Sequence, residues 1–177
     1  MVEVEHAPER VVFCSRCGTH MRTEMFGGKP RRRCPACRFI HFEEPKVAVA
    51  AMVLSHEGLL LVKRAVDPEK GKWALPAGYL DLGETPREGV AREVLEETQL
   101  TVKVERLVDA FYNPPGGGAS VVLVYRASVV GGTLTPSDDA SEAAFFQPPH
   151  YPELAFSSSK EIAARAARAF KRMSGHL

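Results

Sequence analysis

Hydrophobic residues along this chain change their spacing from segment to segment. Residues 47–54 are apolar without interruption over a strand's length, which predicts a strand buried on both faces. After a turn at 55–58, residues 59–62 repeat the pattern and predict its returning partner. Residues 102–112 and 120–130 predict two more strands, joined by Asn113-Pro114-Pro115-Gly116-Gly117-Gly118, and residues 143–147 a short last strand. Between these lie two stretches of helical character. Thr85, Pro86 and Glu88 form a cap, a first-turn proline and a capping box that open a helix over residues 86–98. Ser158 and Glu161 repeat the capping pattern before an Ala-rich helix to about residue 173. Strands, helix, strands and a final helix are consistent with an α/β sandwich in which a mixed sheet lies between helices.

The length of 177 residues fits one core domain, here 45–177, plus a small module, here 1–44, with the linker at Phe42-Glu43-Glu44-Pro45. A formal net charge of +1 and 45% hydrophobic residues are ordinary for a cytoplasmic protein, and no apolar run is long enough to span a membrane. Residues 1–10 are acidic and mixed, unlike a secretory leader.

On the first helix Glu93, Glu96 and Glu97 stand at i, i+3 and i+4 and share one face, beside an apolar stripe of Val90, Ala91, Val94 and Leu95. Three ionised carboxylates this close repel one another unless cations or water intervene, and such oxygen ligands suit Mg²⁺ or Mn²⁺. The same residues also read as a solvated acidic face, with Arg92 pairing Glu88 or Glu96. Gly78 and Glu84 precede the helix in a loop whose backbone can approach a phosphate.

All four cysteines fall in two pairs, Cys14-x-x-Cys17 and Cys34-x-x-Cys37, sixteen residues apart. That spacing suits a tetrahedral thiolate site for structural Zn²⁺ with no open position for catalysis; the other reading is two disulfides, which a reducing cytosol disfavours. Folding of the short ribbon then depends on the metal, with Phe26 and Phe39 covering its small core. The run Lys29-Pro30-Arg31-Arg32-Arg33 offers charge to RNA or a phosphorylated substrate, or is simply solvated.

The segment Gly78-x5-Glu84-x7-Arg92-Glu93-Val94-Leu95-Glu96-Glu97-Thr98-Gln99-Leu100 resembles the Nudix box, matching every fixed position except Gln99, where the family has glycine. The run Trp73-Ala74-Leu75-Pro76-Ala77 is similar to the family's approach to the box. The resemblance implies a Nudix-type α/β/α sandwich over roughly residues 45–175. It also implies metal-dependent hydrolysis of a nucleoside diphosphate linked to another moiety, giving two monophosphates. It assigns Glu93, Glu96 and Glu97 as metal ligands, with the Gly78 carbonyl as a further one and Arg92 orienting the carboxylates. Glu142, beside Asp138 and Asp139, resembles the position that returns a carboxylate from before the last strand; the plain reading of that segment is a solvated acidic turn. Glu84 is ligand, base or loop partner. Tyr79, Phe111 and Tyr112 are candidates for a nucleobase slot.

A zinc ribbon ahead of the box further resembles a branch that includes NADH pyrophosphatases and relatives cleaving ADP-ribose and FAD. The aromatic, proline-rich run of the NADH group is absent after the box, and Pro152-Glu153-Leu154-Ala155-Phe156 is similar to the ADP-ribose and FAD enzymes, so these substrates rank above NADH. Nudix relatives often form homodimers. Alternatives are an RNA-binding or regulatory protein with the sandwich as scaffold, or an enzyme acting on nucleoside triphosphates or capped RNA.

Overall fold

A computed structural model describes residues 11–113 and 121–174, with side chains to residue 171. The leader reading of residues 1–10, the loop at 114–118 and the strand start at Ser120 lie outside the described residues. The chain divides into two compact units, Met1–Glu44 and Pro45–Leu177.

The first unit is a three-stranded antiparallel sheet, β1 (Arg22–Phe26), β2 (Lys29–Arg33) and β3 (Ile40–His41), in that order. Two turns of one design hold its cysteines. In the first, Gly18 N–H donates to the Cys14 carbonyl at 2.8 Å and Gly18 adopts φ 71°. In the second, Arg38 N–H donates to the Cys34 carbonyl at 3.0 Å and Arg38 adopts φ 61°. Met21, Cys14 and Cys34 form the buried centre, covered by Val11 and Phe39. Phe26 departs from expectation: it ends β1 at the hairpin turn, is exposed, and packs edge to face on Phe42.

The second unit begins with β4 (Val47–Ser55) and β5 (Gly58–Arg64), then the short β6 (Trp73–Ala74) and β7 (Ala77–Tyr79). Helix α1 (Pro86–Thr98) follows, then β8 (Leu100–Tyr112), β9 (Val121–Gly132), β10 (Ala140–Phe146) and helix α2 (Ser157–Ser174). The seven-stranded sheet runs β10-β5-β4-β9-β8, with β6 on β5 and β7 on β4. Only β4 and β9 are parallel among the described pairs, which makes the sheet mixed.

Strand β4 shows why its sequence is continuously apolar. Ala50, Met52 and Leu54 pack with Ile162, Ala163 and Ala166 of α2, while Val49, Ala51 and Val53 pack with Val90 and Val94 of α1. Successive side chains of a strand point to opposite faces, so a strand covered by a helix on each side has no polar face. This is the α/β/α sandwich the sequence predicts.

Helix α1 opens with the expected capping box, Thr85 N–H donating to Glu88 Oε2 at 2.7 Å and Glu88 N–H to Thr85 Oγ1 at 3.3 Å. Helix α2 starts at Ser157, one residue ahead of the expected cap, and Glu161 pairs with Arg165 at 2.5 Å. At the end of α1, Gln99 itself takes the left-handed conformation that glycine would supply, φ 57° and ψ 17°. Its side-chain amide donates to the Leu95 carbonyl at 3.2 Å and to Ser137 Oγ at 2.9 Å, which offsets a left-handed cost of about 1 kcal/mol. Replacing Gln99 by Ala keeps the backbone cost and loses the side-chain bonds, so stability falls by about 1 kcal/mol in urea unfolding. Gln99→Gly trades one for the other and shifts it by less than about half that.

Candidate functional site

The site grows from the contact between α1 and β7. Gly78 pairs with Val49 on β4, and a Cβ at Gly78 would sit 2.1 Å from Glu93 Oε1. Only glycine permits that approach of backbone to carboxylate. One residue earlier, Ala77 N–H donates to Glu97 Oε2 at 3.1 Å. Both glutamates are buried, Glu93 at 8% and Glu97 at 4% exposure. Glu96, on the outer edge of the same helix face, is exposed.

Arg92 holds this array together. Its Nε and Nη2 grip Glu84 at 3.1 and 2.7 Å, its Nη1 reaches Glu93 Oε1 at 2.7 Å and Glu96 Oε2 at 2.9 Å, and Nη2 also donates to the Tyr79 carbonyl at 2.9 Å. Such a fork fixes several carboxylates at once. The guanidinium, together with a bond from Asp81 N–H at 2.7 Å, holds the Glu84 carboxyl below its ordinary range. Arg92 in turn is held more firmly charged than usual, first by Glu84. The solvated-face reading of the helix is therefore replaced by a half-buried network.

Burial acts the other way on the two inner glutamates. Desolvation pushes Glu93 up despite Arg92. It pushes Glu97 up to about 9, with the Ala77 N–H opposing and the nearby Asp139 and Glu93 charges adding to the rise. Asp139 is the residue that sequence reasoning missed by reading Asp138 and Asp139 as a solvated turn. The loop before β10 is fastened to the last turn of α1: Thr135 N–H donates to the Thr98 carbonyl at 3.0 Å, Ser137 N–H to the Glu97 carbonyl at 3.1 Å, and Ser137 Oγ to the Glu96 carbonyl. A helix end leaves these carbonyls unpaired, and the loop that takes them delivers Asp139 to the glutamates. Ser137 and Thr135 at the helix's far end carried no sequence signal of that docking.

Glu142 lies on β10, where it pairs with Lys63 at 2.7 Å, and its charge is not among those that most affect Glu93 or Glu97. Gly78 and Tyr79 line a cavity of about 480 Å³, together with Arg64, Asp67, Asn113, Asp139, Phe156 and the first residues of α2. Phe111 packs against the core under α2, and Tyr112 is 71% exposed; neither lines that cavity. Trp73 packs edge to face on Phe146, a structural role.

Among the described residues, the four cysteines are the one cluster whose ligand atoms all lie within 4.8 Å of one another. Cys14 and Cys37 Sγ are 3.6 Å apart and Cys17 and Cys34 Sγ 3.4 Å, too far for disulfides and close to the roughly 3.8 Å edge of a zinc tetrathiolate. Glu93, Glu96 and Glu97 form no such cluster: Arg92 Nη1 binds the first two and the Ala77 N–H the third. Their excess negative charge, partly buried and made of hard oxygen donors, fits a divalent cation of the Mg²⁺ class. In the first unit Arg33 pairs with Glu24 at 2.9 Å, Arg32 donates to the Val11 and Met21 carbonyls, and Arg31 stacks over Phe42 at 4.5 Å, so the basic run is largely engaged within its own module.

Glu97 gives a pH dependence of definite sign. Its folded value, about 9, lies above the ordinary 4.5, so its contribution to stability is complete below about 4.5 and is lost as pH rises through 9. Without added divalent metal, unfolding free energy should fall between these limits by up to about 1.4 kcal/mol per pH unit. Glu97→Gln keeps the acceptor for Ala77 N–H and should remove most of that slope in denaturant titrations across pH.

Comparisons with known proteins agree with this geometry. Residues 44–168 match the NUDIX domain model. An ADP-ribose pyrophosphatase of Methanocaldococcus jannaschii is 41% identical over 120 residues, 67% of this chain and 71% of that protein. A NAD-capped RNA hydrolase NudC of Vibrio atlanticus is 28% identical over 156 residues, 87% of this chain and 56% of that protein, so the chain spans little more than half of that relative. A crystal structure of a NUDIX hydrolase from Nitrosomonas europaea superimposes with a TM-score of 0.82 at 33% identity, covering 93% of this chain and 94% of its own. No helix among the described residues is long and apolar enough to cross a membrane. With the family model covering the sheet, the box helix and the glutamate network alike, the chain belongs to the Nudix family and is a Nudix hydrolase.

Proposed function

We propose that this hydrolase cleaves the diphosphate bond of a nucleoside diphosphate linked to another moiety, with ADP-ribose or FAD ahead of NADH, releasing two monophosphates. The observation that carries the reading is the buried pair Glu93 and Glu97 with Asp139 beside the Gly78 edge of a cavity large enough for a nucleotide. Glu93, Glu96 and Glu97, with the Gly78 carbonyl, would hold Mg²⁺ or Mn²⁺. When bound, such ions neutralise phosphate oxygens and lower the pKa of a coordinated water.

The chain's own residues prepare that site. Arg92 keeps Glu84, Glu93 and Glu96 oriented, and Glu84, gripped by two guanidinium nitrogens and the Asp81 N–H, is a positioning residue. Burial pushes the Glu97 carboxyl well above its ordinary range, so a cation held there would displace a proton from it. Asp139 lines the cavity and adds its charge beside Glu97, whereas Glu142 is held by Lys63. Tyr79, with Lys46 5.2 Å from its ring centroid, offers an aromatic wall to the nucleobase. The four cysteines, with Sγ atoms all within 4.8 Å of one another, would hold a structural Zn²⁺, and such a thiolate site suits a reducing, cytoplasmic setting. The Vibrio relative supports capped RNA as a second substrate class.

The test is product analysis with ADP-ribose, FAD, NADH, nucleoside triphosphates and NAD-capped RNA in Mg²⁺ or Mn²⁺. AMP should appear from ADP-ribose or FAD, and Glu97→Gln should lower the rate by at least about 100-fold. Pyrophosphate release from triphosphates alone would overturn the assignment. Separately, blocking the thiols should release one Zn²⁺ per chain to a chromogenic chelator; none released from folded protein would remove the zinc.

A further inference from the structure

The small sheet of the first unit has two faces, and the hydrolytic reading uses neither. Directly opposed residues of an antiparallel pair share a face. The register therefore sets Arg22 with Arg33, Glu24 with Arg31 and Phe26 with Lys29 on one face, and Thr23 with Arg32 on the other. Arg32 donates to the Val11 and Met21 carbonyls, which ties its side of the sheet to the segments flanking the first cysteine turn. The opposite face is open. Phe26 is 46% and Phe42 48% exposed, their rings meet edge to face with centroids 6.4 Å apart, and Arg22 and Lys29 are exposed beside them. Phe42 joins this face through Arg31, whose guanidinium lies 4.5 Å over its ring.

The charge of the open face is one-sided. Along β1, β2 and β3 the one carboxylate is Glu24, and it is committed to Arg33 at 2.9 Å. Arg31 stacks rather than pairs, and its buried Nε has no acceptor among the described residues, so the module positions this cation without neutralising it. Arg22 and Lys29 have no ion pair among the described residues. Glu43 and Glu44 follow Phe42 in the linker, beyond the strands. A single-stranded nucleic acid matches such a surface in both respects: its phosphates answer the unpaired cations, and its unpaired bases stack on exposed rings and on a guanidinium plane. An acidic polypeptide would use the charge and leave both rings in water. A duplex keeps its base faces stacked away and would do the same.

We propose that the open face of β1 and β2, with Phe26, Phe42, Arg22, Lys29 and Arg31, binds single-stranded RNA. The choice of RNA over DNA rests on the capped-RNA substrate class proposed above; the match of rings and cations to a single strand does not.

The test is fluorescence anisotropy of a labelled single-stranded RNA of about 12 nucleotides with the folded full chain, without Mg²⁺ or Mn²⁺ so that nothing is cleaved. Phe26→Ala and Phe42→Ala should each weaken binding about tenfold. Arg22→Gln and Lys29→Gln should weaken it alike for all sequences and lower the slope of log affinity against log salt by about 0.7 each. Glu24→Gln, which releases Arg33, should strengthen it. Thermal unfolding like that of the parent shows that each variant is folded. No binding at about 50 mM salt overturns the proposal. Affinity indifferent to both phenylalanine substitutions in folded variants also overturns it, as attraction by charge alone, and so does tighter binding of duplex RNA or of single-stranded DNA of the same sequence. RNA binding that depends on the rings and the cations, in a chain that cleaves no capped RNA once Mg²⁺ is added, supports the surface and counts only against capped RNA as a substrate.

Discussion

Everything at the candidate site depends on bringing carboxylates into a place where water cannot neutralise their repulsion. Glu93 and Glu97 face inward from α1 against β7, and burial raises both. The fold tolerates this because Arg92 supplies one cation to three glutamates and Ala77 supplies one N–H to the fourth. Neither device satisfies the inner pair completely. A buried, under-compensated carboxylate pair is costly in itself, a cost that a divalent cation would offset on the reading proposed above.

The surrounding architecture supplies rigidity where this tension is held. The apolar strand β4 is clamped by α1 on one face and α2 on the other, and it carries β7 along its edge. The Gly78 backbone is thereby pinned at a distance from Glu93 that admits no Cβ. The same clamp sets the amino end of α2 at the other side of the cavity. Two helices that bury the sheet's opposite faces thus also furnish opposite electrostatic characters: carboxylates from one, free N–H groups from the other.

The loop before β10 shows how an irregular segment gains precision. Three unpaired carbonyls at the end of α1 need donors, and Thr135 and Ser137 provide them. Gln99 joins through Ser137 Oγ, so the left-handed residue that ends the helix and the loop that delivers Asp139 are parts of one arrangement. The absence of glycine at position 99 is compensated locally by side-chain bonding.

The main elements of the sandwich, β4, β5, α1, β8, β9, β10 and α2, and the box were legible in the sequence alone. The uninterrupted apolar run of β4, the capping box of α1 and the i, i+3, i+4 glutamates are written in local periodicity and cap chemistry, and the folded chain follows them. The cysteine spacing likewise announced a cluster that the fold closes to within 4.8 Å. That Asp139 approaches the glutamates while Glu142 pairs with Lys63, that Phe111 packs on the core, and that Phe26 packs on Phe42 emerges from the folded arrangement alone. Those outcomes depend on strand register and on which orphaned backbone groups a loop must satisfy. Both are set by partners distant in the chain, so no local pattern of residues could encode them.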